Sequence, residues 1–114
     1  MDRRTTERFP LNLPMTVRWT TRSGITETQT ESEDVSSGGI YFYLSERIKD
    51  GLEVEIVLTL PHEVTLAGRA RVQCHGRVRR SEVMLNRVGV AAQIDSYQFL
   101  HERQNDHSLS VVKA

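Results

Sequence analysis

Leu11-Asn12-Leu13-Pro14-Met15-Thr16-Val17-Arg18-Trp19-Thr20 decides the fold. Apolar Leu11, Leu13, Met15, Val17 and Trp19 occupy every second position of this stretch. A period of two sends alternate side chains to opposite faces, so the stretch is a half-buried strand with one apolar side. Trp19 falls on the inward register and reads as core.

The same period recurs outward from it. Ile40, Phe42 and Leu44 alternate with Tyr41 and Tyr43. Leu52, Val54, Ile56, Leu58 and Leu60 form another row that stops at Pro61. The longest row is Val64, Leu66, Gly68, Ala70, Val72, Cys74, Gly76 and Val78. Its small members predict a bent strand that passes close to its neighbours. Its outward face carries Arg69, Arg71, His75, Arg77 and Arg79. Val88, Val90, Ala92 and Ile94 give the last row.

Turn signals separate the rows at Arg22-Ser23-Gly24, at Ser36 to Gly39 and at Asp50-Gly51. Thr26 to Asp34 is rich in Thr and Glu, with little to bury, and is expected as an edge strand. After Ile94 the period changes. Asp95 with Gln98 reads as an N-terminal capping pair, and Tyr97, Leu100 and Phe99 supply an apolar side for a helix to about Arg103.

The expected fold is all-β: a six-stranded antiparallel β-barrel with a short C-terminal α-helix. Closing the sheet removes the unpaired edges that successive short strands would leave. Residues 1–10 are expected as a flexible arginine-bearing arm, 11–104 as the barrel with its helix, and 105–114 as a frayed polar tail.

The 114 residues make one domain, which buries roughly two-thirds of its unfolded surface. The 15 basic and 15 acidic residues cancel, which argues against a nucleic acid polymer as partner. A small anion held by a local arginine cluster stays open. With Cys74 as the single cysteine there is no intrachain disulfide, and a cytoplasmic location is expected. No apolar run reaches the roughly 18 residues of a membrane span, so no membrane insertion is expected.

Two segments carry candidate chemistry. The first is Arg3-Arg4-Thr5-Thr6-Glu7-Arg8. A guanidinium is a planar fork of donors that grips phosphate and stacks on flat rings. The ordinary reading is a solvated basic terminus. The second is Asp34-Val35-Ser36-Ser37-Gly38-Gly39. A carboxylate at a turn can accept two hydrogen bonds at once, which suits the N1–H and exocyclic amine of guanine. Ser36 adds a hydroxyl, and the glycines let backbone approach a ligand. The ordinary reading is a Ser turn that uses Gly for its backbone freedom. Together the two segments complement a guanine nucleotide: arginines for phosphate and ring face, an aspartate for the base edge.

Arg4-Thr5-Thr6-Glu7-Arg8 and Asp34-Val35-Ser36-Ser37-Gly38-Gly39 resemble the R-x-x-x-R and [D/N]-x-S-x-x-G motifs of the bacterial PilZ domain family. Phe9-Pro10-Leu11, Gly38-Gly39-Ile40, Asp50-Gly51 and Val88-Gly89-Val90 also look like that family, over residues 3 to 100 or so. The resemblance implies a receptor for the second messenger cyclic di-GMP. Arg4 and Arg8 would contact phosphate and stack on guanine, and Asp34, Ser36 and Gly39 would hold the guanine from the barrel side. Arg3, just before the motif, implies a preference for an intercalated pair of ligands. Arg79 is either a solvated surface residue or one further stacking or phosphate contact. Thr26 to Glu33 departs from the family in being so polar. Glu31 and Glu33 add negative charge beside the proposed site, although strict alternation sets Glu33 opposite to Asp34.

No catalytic constellation is present. Cys74 and His75 are adjacent on a strand and point opposite ways, the four histidines lack metal-ligand spacing, and neither a P-loop nor G-x-G-x-x-G occurs. The expectation is a non-enzymatic receptor without cofactor, which orders its arginine arm around the ligand and so presents a new surface to an effector protein. The rival is a barrel adaptor that docks protein partners without nucleotide. A single-stranded nucleic acid binder would need an aromatic platform, for which outward Tyr41 and Tyr43 are the only hint.

Overall fold

The computed structural model describes residues 11–61 and 70–101. The five apolar rows and the Thr- and Glu-rich stretch become six strands: β1 (Pro14–Thr21), β2 (Gly24–Ser36), β3 (Gly39–Leu44), β4 (Glu53–Leu60), β5 (Ala70–Val83) and β6 (Val88–His101). All neighbours pair antiparallel in the order β1-β2-β3-β6-β5-β4, and β4 returns to β1 to close the barrel.

The inward rows meet along the axis. Met15, Val17 and Trp19 of β1 are buried with Ile40, Phe42 and Leu44 of β3, and with Val54, Ile56 and Leu58 of β4. Val72, Cys74 and Val78 of β5 and Val88, Val90 and Ala92 of β6 complete the interior. Removing each such aliphatic or aromatic side chain from water contributes about 1.5–3 kcal/mol before the cost of ordering the chain. Ser32 is the one buried polar residue among those described, and it is satisfied. Its hydroxyl accepts from the Leu13 amide at 2.9 Å and donates to the Leu11 carbonyl at 2.5 Å, tying the chain before β1 onto β2.

Turn chemistry sets the hairpins. Gly24, at φ +125°, takes a conformation that side-chain-bearing residues rarely adopt and lets Thr21 and Gly24 pair across a two-residue turn. The Thr- and Glu-rich strand is an edge only in part. Residues 24–31 of β2 pair with β1, whereas Ser32 to Ser36 pair with β3. The hairpin to β3 supplies that second partner.

The helix expected from Asp95 is replaced by strand as far as His101, and Glu102 and Arg103 lie outside the described residues. Tyr97, Phe99 and His101 stand opposite Cys74, Val72 and Ala70 of β5. Long-range ladder bonds to β5 override a local capping signal. The expected arm and tail also lie outside the described residues, as does the stretch 62–69, which contains Val64, Leu66, Gly68 and Arg69.

Three bulges shape the outer surface. One lies in β2 between Ser32 and Asp34. Two lie along the β5–β6 ladder, where Asp95 is the extra residue on β6 and Arg79 the extra residue on β5. A bulge puts two residues opposite one and re-aims the local side chains.

Candidate ligand-binding face

The corner between β2 and β3 follows from one hydroxyl. Ser36 Oγ accepts from the amides of Gly38 (3.3 Å) and Gly39 (3.1 Å) and reaches the Gly39 carbonyl at 3.4 Å. A serine hydroxyl has one proton and two lone pairs, so this turn engages all of them. The Gly38 carbonyl in turn accepts from the Ile94 amide at 3.0 Å, pinning the corner to β6. Gly39 lies so close to β6 that a β-carbon there would sit 3.0 Å from the Ala92 carbonyl oxygen, whereas one at Gly38 would meet open space.

Asp34, Ser36 and Gly39 therefore gather at one corner. Asp34 and Ser36 are two apart on β2, and Ser36 is the register partner of Gly39. Asp34 is half-buried and stands opposite Tyr41 of β3. The expectation that Glu33 points away from Asp34 fails at the β2 bulge. Ser32 and Val35 both turn to the interior although they are three apart, so Glu33 and Asp34 lie together on the outer side. Arg3, Arg4 and Arg8 lie outside the described residues.

From the corner a recess of about 330 Å³ runs across β3 and β6 to β5. Its floor is small or backbone: Gly38, Gly39, Ala91 and Ala92. Tyr41, Arg79, Arg80 and Gln93 line its sides, and among the described residues no carboxylate does. Burial first, then Tyr43 and Glu82, push the Tyr41 phenol above its usual range, so its hydroxyl stays a neutral group. Gly89 makes room for that ring, since a β-carbon there would collide with the Tyr41 hydroxyl. Tyr41 meets Tyr43 edge-on, and Arg87 lies 3.6 Å over the Tyr43 ring.

Arg79 was legible as an outward arginine; Arg80 was missed. Its sequence signal is a charge at the position where strict alternation calls for an inward residue, which marks a bulge. Cys74 is buried, and burial pushes its thiol up to about 11, so it is inert beside exposed His75. Among the described residues no group of His, Cys, Asp and Glu could hold a metal ion, and no helix is long and apolar enough to cross a membrane.

The family model of the PilZ domain matches residues 2–108. The chain belongs to the PilZ domain family. No curated protein matches it. Its barrel is similar to that of the Bacillus subtilis inhibitor of motility MotI/DgrA, with a TM-score of 0.70 and 19% identity over 84% of this chain. It also resembles the PilZ domain of CeSA from a cellulose-synthesizing bacterium, with a TM-score of 0.52 and 22% identity over 79% of this chain and 83% of that one. The K. pneumonia MrkH–c-di-GMP complex matches with a TM-score of 0.55 and 15% identity over 84% of this chain and 46% of MrkH. The chain spans 44% of the length of MotI/DgrA. At these identities the likeness is one of fold: the PilZ barrel.

Proposed function

We propose that this PilZ domain is a receptor for cyclic di-GMP and has no catalytic activity of its own. The observation that carries the reading is the convergence of Asp34, Ser36 and Gly39 at one corner of the barrel, beside a recess that no carboxylate lines among the described residues. Membership of the PilZ family, a family of receptors and adaptors, and the likeness to a c-di-GMP complex support the choice of ligand.

In this reading Asp34 accepts from the N1–H and exocyclic amine of one guanine. Ser36 shapes the corner, and Gly39 lets the ligand approach backbone. Arg4 and Arg8 bring their guanidinium forks to the phosphates and stack on guanine, with Arg3 beside them favouring a pair of ligands. Three neighbouring arginines repel one another until phosphate neutralises them. Binding then folds the leader over the barrel, and the output is a changed surface for an effector protein.

Calorimetric titration of cyclic di-GMP into the protein tests this. Saturable heat at tens of micromolar protein is expected, and its loss in Arg8→Ala and in Asp34→Ala. Absence of heat from the wild-type protein overturns the reading.

A further inference from the structure

β5 carries two successive arginines, Arg79 and Arg80, whose side chains are both exposed. The bulge makes this possible. Val78 pairs with Ala92 and faces the interior, Arg80 pairs with Ala91, and Arg79 is the extra residue between them. Both arginines line the recess that opens at the Ser36–Gly39 corner.

Arg79 is also aimed. Its Nη1 donates to Gln93 Oε1 at 3.0 Å. Gln93 Nε2 donates to Asp95 Oδ1 at 2.8 Å, and Arg77 holds that carboxylate at 3.2 and 3.3 Å. The second bulge, at Asp95, places this carboxylate on the outer side where it can serve both Arg77 and Gln93. The link to Gln93 uses one of the five N–H donors of the Arg79 guanidinium.

The strand order sets the reach. From Asp34 on β2 the face crosses β3 and β6 to the arginines on β5. Three strand spacings come to about 14 Å, beyond the size of a single base and suited to a ligand of two nucleotides or a stacked pair. Two cations over a floor of glycine and alanine, without a lining carboxylate among the described residues, suit an anion.

We propose that this recess is an anion subsite of the same face. Arg79, aimed by Gln93, and Arg80 grip a phosphodiester of the part of the ligand that lies beyond the corner. The subsite rests on the cyclic di-GMP reading. Arg79 and Arg80 are contact residues, and Gln93 is a positioning residue that acts through Arg79.

Calorimetry with cyclic di-GMP at low and high salt tests it. Arg79→Ala weakens binding roughly ten-fold, the effect of losing one charge-assisted contact. Arg79→Ala with Arg80→Ala weakens it further and flattens the salt dependence. Arg79→Lys recovers only part, because an ammonium lacks the fork. Gln93→Ala weakens binding in the wild-type background and adds nothing to Arg79→Ala. Arg22→Ala, the same charge change in the β1–β2 turn, leaves affinity unchanged. Wild-type affinity and salt dependence in the double variant would overturn the subsite and leave the receptor standing. No heat from the wild-type protein overturns both.

Discussion

Of the recesses on the described barrel surface, two are lined by the extra residues of the β5–β6 bulges, Asp95 in one and Arg79 in the other. One is lined by Arg18, Glu53, Glu55, His75 and Asp95, with Gly76 beneath; the other by Arg79, Arg80, Tyr41 and Gln93, with Gly38 and Gly39 beneath. In the first, charges answer one another. Arg18 lies 3.3 Å from Glu55 and 3.7 Å from Glu27, and Arg77 is paired with Asp95. In the second, two arginines share a recess without carboxylates among the described residues. The two recesses are of similar size, about 320 and 330 Å³, so volume does not tell them apart. Charge balance does. A recess whose cations are matched internally has little to offer an anion; one whose cations are not is complementary to it.

Breaking the second recess has the largest expected effect. Asp34→Ala, at the corner that leads into it, should cut affinity for cyclic di-GMP by about a hundred-fold or more, since it removes a carboxylate that takes two hydrogen bonds from one base. Glu53→Gln and Glu55→Gln in the first recess should leave affinity within about two-fold, screened by solvent and by their own partners. Calorimetry on the three variants compares the recesses directly, and equal losses would dissolve the distinction.

The glycines beneath the two recesses come next. A β-carbon at Gly76 runs into the backbone of Gln93, which cannot swing aside as a side chain can. Gly76→Ala should destabilise the barrel by about 1–3 kcal/mol. For a domain of this size that lowers the melting temperature by roughly 4–8 °C per kcal/mol. Gly39→Ala meets only the Ala92 carbonyl, at 3.0 Å, and should cost less, while Gly38→Ala should leave the melting temperature unchanged. Thermal melts followed by circular dichroism give the order; a Gly38→Ala loss equal to that of Gly76→Ala would contradict the close approach.

The smallest effect is on pH dependence in the first recess. Hydrogen bonds from Arg77, then Gln93, hold the Asp95 carboxyl below the usual carboxylate range. A carboxyl whose pKa falls on folding adds stability above its unfolded pKa, and that stability is lost as pH falls through the folded pKa. The pair is exposed, so the contribution is small. Asp95→Asn should narrow slightly the gap between melting temperatures at pH 7 and pH 3, and high salt should narrow it in the wild-type protein. An unaltered gap in Asp95→Asn would place the acid sensitivity elsewhere.

The same comparison explains what the sequence made legible. Alternation located five of the six strands, because rows such as Leu13 to Trp19 and Val54 to Leu58 have a buried face and cannot slip register without exposing it; β2 was legible only from its threonines and flanking turns. It also placed Trp19 and Cys74 inside. Alternation is blind where the pairing skips a residue. Glu33 and Asp34 share one side, Arg80 joins Arg79 outside, and Asp95 leaves the ladder to reach Arg77, each at a bulge. The helix signal at Asp95 and Gln98 failed for the same reason. Asp95 has an outward role at a bulge, and the residues after it find ladder partners in β5 that a local pattern does not record. The corner motif was legible as residue types, but the recess beside it was not, because its walls join β3 to the β5–β6 hairpin, which is distant in sequence and bulged.

Amide chemical-shift mapping by NMR on addition of cyclic di-GMP tests the central claim most directly. Shifts should gather at the first ten residues, at Asp34 to Gly39, and at Arg79, Arg80 and Gln93, with Arg18, Glu53 and His75 unmoved. Shifts centred on Arg18, Glu53 and His75, or none anywhere, would contradict it.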